Sequence, residues 1–252
     1  MKHFKKYLAF TALTLATTST VEAETIRFAS EGAYPPFNMV DSNNKLYGFE
    51  IELVKAMCDE IKANCPFTAQ DWEGLMPGLL ANKYDAVIAS ISITDERKAI
   101  VDFSDPYYTS YSAFAVLKNS PIQNMDPKSF INKSIGAQAG TIQAMYAEDT
   151  YAPIGATVKL YSTAEEANNE LGNQRVDAVI NDNLPLLEWL NNDSHGCCRY
   201  LGKVDSTASP MAIAIRKNSD LLKEKLNRAL AAIQANGTYT KLKAKYFRYE
   251  KN

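Results

Sequence analysis

The sequence predicts an α/β fold of two lobes, each built on a central, mostly parallel sheet, and three observations predict it. Ala86-Val87-Ile88-Ala89 is an apolar, β-branched run too short for a typical helix, the mark of a strand buried on both faces. It turns abruptly polar at Ser90, Ser92, Thr94 and Arg97. The form then repeats: Val176-Asp177-Ala178-Val179-Ile180 runs into Asn181 and Asp182 as Tyr84-Asp85-Ala86-Val87-Ile88 runs into Ala89 and Ser90. Around both runs, strand-like and helix-like segments alternate, which is the grammar of a parallel sheet.

These strand ends also carry a functional expectation. In open α/β sheets, ligands bind just beyond the carboxyl ends of the strands. One end here offers a cation, Arg97, and the other an anion, Asp182. A guanidinium grips a carboxylate with two parallel hydrogen bonds, so a zwitterion held between two lobes would need this pair. The plainer alternative for the first run is an N-capping Ser or Thr followed by a helix with a solvated Arg97. For the second, Asp182 could cap a helix begun by Leu184-Pro185.

Composition narrows the classes. With 252 residues, 46% hydrophobic and 22% charged, the chain is globular and suits one large domain or two small ones. A net charge of -2 gives no basic excess to draw nucleic acid or an anionic membrane. Lys2, Lys5 and Lys6 precede a mostly apolar stretch from Tyr7 to Thr18, and Val21-Glu22-Ala23 fits a small-x-small cleavage pattern. Residues 1–23 are therefore expected to be a signal peptide cut after Ala23, its apolar part being too short to span a bilayer. The mature protein is expected to be soluble and exported.

Taken in order, Ile26 to Ala29 reads as a first strand. It enters Glu31-Gly32-Ala33-Tyr34-Pro35-Pro36-Phe37, a loop that two prolines keep extended. Gly48-Phe49 leads a helix whose apolar Ile51, Val54 and Met57 recur at helical spacing. Pro66 to Ala69 is a short strand, Met76 to Leu80 begins a helix, and the Asp85 strand follows. Phe103 to Tyr111 reads as irregular and aromatic-rich, and Ala113 to Leu117 as a strand leaving the first unit. Ser134 to Ala137 is a strand and Gly140-Thr141-Ile142-Gln143 opens a helix, whose free N–H groups make an anion site. Thr163 caps a helix over Ala164 to Leu171 with Glu166 as capping-box partner. After the Val176 strand come a strand over Met211 to Ile215, an amphipathic helix over Leu221 to Gln234, and a last helix from Tyr239 to Phe247. The lobes are thus expected over 24–113 plus 208–252 and over 114–207, with two crossings between them forming a hinge.

Export makes the four cysteines candidates for disulfides. In a continuous helix Cys58 and Cys65 would stand about 10 Å apart, too far to bridge. A bridge between them requires the helix to end in the interval, and we read a disulfide sealing a helix end. Cys197 and Cys198 are adjacent and could form a vicinal bridge, stay free or link two chains. His195 with this pair falls short of the four ligands usual in a structural zinc site, and neither metal nor cofactor is expected.

Glu31-Gly32-Ala33-Tyr34-Pro35-Pro36-Phe37, Gly48-Phe49-Glu50-Ile51, Ser90-Ile91-Ser92-Ile93-Thr94 through Arg97, Gly140-Thr141-Ile142-Gln143 and Gly237-Thr238-Tyr239 together resemble one family, the polar amino-acid-binding proteins of ABC importers (solute-binding protein family 3). Within it the chain is most similar to the lysine/arginine/ornithine- and histidine-binding branch. The resemblance covers essentially the whole mature chain in order, and the Cys58–Cys65 spacing matches a disulfide of that branch. It implies the two-lobed periplasmic-binding-protein fold of type II with a two-stranded hinge, closing on one amino acid and docking, as a monomer, on a membrane permease. Arg97 matches the residue that clamps the ligand α-carboxylate, and Asp182 the one that takes the α-ammonium. Ser90, Ser92 and the Thr141 region match further hydrogen-bonders of those groups, and Gln143 a polar contact near the cleft. Tyr34 and Trp72 match aromatic positions flanking the ligand side chain, and Glu31 an acidic position meeting its distal charge.

The chain departs from the branch at Ala89, where a serine is common, and at Ile142, which replaces a threonine whose backbone N–H could still serve. Trp72 is larger than usual and suits stacking on a planar guanidinium. The resemblance therefore implies a periplasmic receptor for arginine first, then ornithine and lysine, with opine or histidine as alternative ligands. A competing class is an enzyme on the same scaffold, like the cyclohexadienyl dehydratases, with Glu31 or Glu73 as the proton donor. The complete amino-acid clamp speaks for the receptor.

Overall fold

The structure is a computed structural model that describes residues 23–250. The expected signal peptide, apart from Ala23, lies outside the described residues.

The first strand, Phe28–Ser30, is buried along its whole length. It pairs in parallel with Phe67–Ala69 on one side and with Ala86–Val87 on the other. The segment Glu31 to Tyr47 differs from the expected loop. It folds as a small antiparallel meander of Ala33–Tyr34, Asn38–Val40 and Leu46–Tyr47, and the two prolines occupy its first turn. Helix α1 (Phe49–Ile61) follows, burying Ile51, Leu53, Val54 and Met57. Its N-cap must be Gly48, whose φ is +123°, and a Cβ there would stand 2.5 Å from the Phe37 carbonyl oxygen. At the other end Lys62 turns left-handed, so the helix stops between Cys58 and Cys65. These two are bridged, with Cα atoms 6.4 Å apart. Helices α2 (Trp72–Leu80) and α3 (Asp95–Ile100) flank the Ala86–Val87 strand in sequence.

The chain then crosses. Tyr108–Ser110 pairs antiparallel with Ser209–Met211, the returning segment, as a two-stranded ribbon that also bridges to Ser92 through Met211. Beyond it Ser112–Leu117 enters a second sheet, in the order Thr157–Tyr161, Ser134–Gln138, Ala178–Asp182, Ser112–Leu117, Cys198–Lys203. Ser112–Leu117 alone runs antiparallel to its two neighbours, and the other four strands share one direction. Helices α4 (Ile142–Thr150), α5 (Ala164–Gly172) and α6 (Asn183–Asn192) belong to this half. Helix α5 starts with a complete capping box between Thr163 and Glu166, which satisfies two orphan amides at once. Cys197 and Cys198 are joined to each other at the edge of this sheet.

On return the chain completes the first sheet. Ala214–Arg216 inserts antiparallel between Ala86–Val87 and Val101–Phe103. The stretch expected as one strand over Met211 to Ile215 is thus two, one in the ribbon and one in the sheet. Tyr108–Ser110 is likewise a strand where an irregular segment was expected, and Val101–Phe103 a strand the sequence did not suggest, because their partners lie about a hundred residues downstream. Helix α7 (Asp220–Ala235) buries Leu226, Ala229, Leu230 and Ile233 on one face, and α8 (Thr238–Tyr246) closes the lobe. Burying each of the Leu and Ile side chains contributes about 1.5–3 kcal/mol. The architecture is the two-lobed fold, one five-stranded sheet per lobe, with the small meander added to the first and the ribbon between them. No helix among the described residues is long and apolar enough to cross a membrane.

Candidate ligand-binding site

Between the lobes lies a cavity of about 290 Å³, counted to the surrounding atoms. The first lobe lines it with Glu31, Tyr34, Trp72, Ala89, Ser90, Ser92 and Arg97, and the second with Gln138, Thr141, Ile142, Gln143 and Asp182. All ten residues singled out in the sequence stand on this one cavity, together with Gln138 and Ile142.

Arg97 sits in the first turn of α3, where the Thr94 hydroxyl caps the helix by accepting from the Arg97 N–H at 3.2 Å. The plain capping reading of this segment is thus realised by the Thr94 hydroxyl and the Arg97 backbone, while the Arg97 side chain stands on the cavity. Its guanidinium donates to the Ser92 carbonyl at 2.9 Å and across the cleft to the Gly140 carbonyl at 3.1 Å. The guanidinium carbon lies 5.5 Å from the centre of the Trp72 ring, so the indole lies against Arg97 itself as well as lining the cavity. Burial pulls the pKa of Arg97 down, and Asp182 and Glu96 hold it up.

Facing Arg97 is the start of α4. Thr141 is its N-cap, accepting from the Ala144 N–H at 3.1 Å and donating to the Gln138 carbonyl at 2.7 Å. Its hydroxyl is thereby spent on the local fold. What this turn can offer a ligand is the first amides of the helix, at Ile142 and Gln143, which have no carbonyl ahead of them in the helix. Gly140 holds the approach with φ +67°.

At the other end Asp182 is 4% exposed. It stands at the N-cap of α6, yet its side chain makes no capping bond. It points instead into the cleft, where it accepts from the Tyr34 hydroxyl at 2.6 Å, a bond between the lobes. Burial pushes its pKa up to about 6, against the Tyr34 hydroxyl, which lowers it. Glu31 is buried also, at 9% exposed. Its carboxylate accepts from Gln138 Nε2 at 2.7 Å, again between the lobes. Burial pushes Glu31 up to about 7; the Gln138 amide works against this, and the charges of Glu50 and Asp71 add to it.

Gln138 was missed in the sequence. It is the last residue of its strand, and the strand-end rule that found Ser90 and Asp182 points to it equally. Glu73, the other candidate proton donor, is exposed and does not line the cavity. Among the described residues no group of side chains could hold a metal ion.

Comparison with known proteins gives the family of the chain. A family model described as "Bacterial extracellular solute-binding proteins, family 3" matches residues 26–249. The L-arginine-binding protein of Pseudomonas aeruginosa is 33% identical over 249 residues, covering 96% of this chain and 95% of that protein. ABC transporter arginine-binding protein 1 of Escherichia coli K12 is 36% identical over 251 residues, covering 96% and 99%. Among solved structures, an ancestral arginine-binding protein bound to arginine superposes with a TM-score of 0.83 at 35% identity, covering 88% of this chain and 98% of that one. These relatives are named as arginine-binding proteins.

Proposed function

This chain belongs to family 3 of the bacterial extracellular solute-binding proteins, and from that premise we propose that it is the periplasmic arginine receptor of an ABC importer. It binds amino acids without transforming them. Ornithine and lysine are the next ligands in order. The receptor acts as a monomer and hands its ligand to a membrane permease.

The observation that carries this reading is the charge pattern of the cavity. Two buried carboxylates, Glu31 and Asp182, face one guanidinium, Arg97. A basic amino acid supplies the complement, two cations and one carboxylate. Its α-carboxylate meets Arg97 and the first amides of α4, a bidentate pair reinforced by a helix N-terminus. Its α-ammonium meets Asp182. Its side chain runs between Tyr34 and Trp72, and the distal cation reaches Glu31. A planar guanidinium can stack on the indole and still donate to the carboxylate, which favours arginine. The α-carboxylate joins groups from both lobes, and the two cations are held by carboxylates of opposite lobes, so ligand shifts the population toward the closed form, with the Tyr108–Ser110 and Ser209–Met211 ribbon as the hinge.

A melting screen of ligand-stripped protein tests the reading. Ligand at a hundredfold excess over its dissociation constant stabilises the folded state by about 2.7 kcal/mol, or roughly 5–10 °C for a chain of this size. Arginine is expected to give a shift of this order, ornithine and lysine smaller ones. Glutamate sets a second carboxylate against Glu31 and is expected to give none. An equal shift with glutamate would overturn the choice of ligand class.

A further inference from the structure

Glu50 is a fully buried carboxylate, 0% exposed, in the first turn of α1, and no role has yet been given to it. No salt bridge among the described residues reaches it. Its neighbours are donors instead. One oxygen accepts from the Ser90 N–H at 2.7 Å, from the Ser90 hydroxyl at 2.9 Å and from the Tyr107 hydroxyl. The other accepts from Asn38 Nδ2 at 2.8 Å. Asn38 cannot turn over, because its own oxygen takes the Gly32 N–H at 2.7 Å. Two of these four donors are N–H groups that can only donate, so the carboxylate must accept on both oxygens.

Two consequences meet at Ser90. Its φ is +52°, a left-handed conformation that residues other than glycine seldom adopt, and the two bonds from Ser90 to Glu50 hold it there. Both donors of Ser90 are also consumed. Toward the cavity that it lines, Ser90 can present only oxygen lone pairs. We propose that Glu50 is a positioning residue for ligand recognition: it turns Ser90 into an acceptor for the ligand α-nitrogen, in the cavity that Asp182 also lines, and through Tyr107 ties that acceptor to the hinge strand Tyr108–Ser110. The inference rests on the reading that the Asp182 end of the cavity receives the α-ammonium of an amino acid.

The test compares arginine with its 2-hydroxy analogue, in which a hydroxyl replaces the α-ammonium, by titration calorimetry on the mature chain. Glu50→Gln puts an amide NH₂ against either Asn38 Nδ2 or Ser90, leaving at least one buried donor unpaired. The ratio of arginine affinity to analogue affinity is expected to fall roughly tenfold or more. The double variant Asn38→Asp with Glu50→Gln reverses one hydrogen bond. The carboxylate placed at position 38 still accepts from Gly32 and also accepts from the amide placed at position 50, whose oxygen keeps Ser90 and Tyr107. This double variant is expected to restore the ratio. A purely structural role would lower the melting temperature and leave the ratio where it is.

An unchanged ratio in Glu50→Gln would overturn the inference. So would a double variant that regains the wild-type melting temperature but not the ratio. If Glu50→Gln does not fold, the double variant alone decides, since it keeps every bond; its failure to fold or to discriminate overturns the proposal. A wild-type protein that does not distinguish arginine from the analogue removes the reading of the Asp182 end, and this inference falls with it; a wild-type preference retained in both variants removes this inference alone.

Discussion

Arginine binding is expected to release protons, and the structure sets how many. Burial among the charges of Glu50 and Asp71 holds Glu31 near 7 and burial holds Asp182 near 6. A carboxylate that takes a guanidinium or an ammonium must be ionised, and the bound cation pulls its pKa far down. Without ligand at pH 7, Glu31 is therefore about half protonated and Asp182 about one tenth protonated, so binding releases about 0.6 proton. Near pH 6 the number rises to about 1.4. Integrating between pH 8 and pH 6, Glu31 weakens binding about tenfold and Asp182 about twofold, together roughly twentyfold. Titration calorimetry at pH 7 in two buffers of different ionisation enthalpy gives the proton number, and dissociation constants at pH 6, 7 and 8 give the slope. Glu31→Gln is expected to flatten the slope to the twofold left by Asp182. A proton number of zero with a flat dissociation constant would refute the reasoning, because a cation would then not be meeting these two carboxylates.

The same shift has an opposite face in stability: since the folded pKa of Glu31 lies above its ordinary 4.5, the folded state holds the proton more tightly. The unliganded protein is therefore expected to lose stability as pH rises from about 5 to 8, by about 2.5 kcal/mol from this group, read as a falling melting temperature that saturating arginine abolishes. Arg97→Ala is expected to remove measurable arginine binding, since truncating one member of a buried charge pair costs about 2–5 kcal/mol or more. Arg97→Lys should bind poorly as well, for want of the planar fork; calorimetry showing wild-type affinity in either variant would reject the clamp. Replacing Cys58 and Cys65 by serine is expected to lower unfolding free energy by about 2–3 kcal/mol in the chain-entropy model, measured by urea denaturation with arginine affinity as the control.

The two strand ends were legible because their signal is local. A buried parallel strand must be apolar along its length, so the change at Ser90 and at Asn181 marks where the strand meets the cleft, and Gln138 obeys the same rule. Capping at Thr163 was legible for the same reason, since its partner Glu166 lies within one turn. The hinge strands were not, because Tyr108–Ser110 is a strand only by virtue of Ser209–Met211. Nor could local pattern reveal that Thr141 spends its hydroxyl as a cap, or that the Trp72 ring lies against Arg97. Both depend on which atom of a side chain is already taken, and a sequence names residues, not atoms. Asp182 shows the limit from the other side: its position allowed a cap, and only the bond from Tyr34 shows that the side chain turns away from the helix.

The place of Ala214–Arg216 bears on how the chain assembles. The second lobe draws its five strands from one continuous stretch, residues 112–203. The first lobe takes a middle strand from near the far end of the chain, between Ala86–Val87 and Val101–Phe103. A chain emerging amino-terminus first thus meets a gap in its first sheet that nothing made so far can fill, with two strand edges left open until residue 216 arrives. The later-made lobe can complete its sheet first and the earlier-made lobe last, so the order of synthesis and the order of folding run in opposite directions. Until then the open edges are the stretch that most needs shielding from other chains.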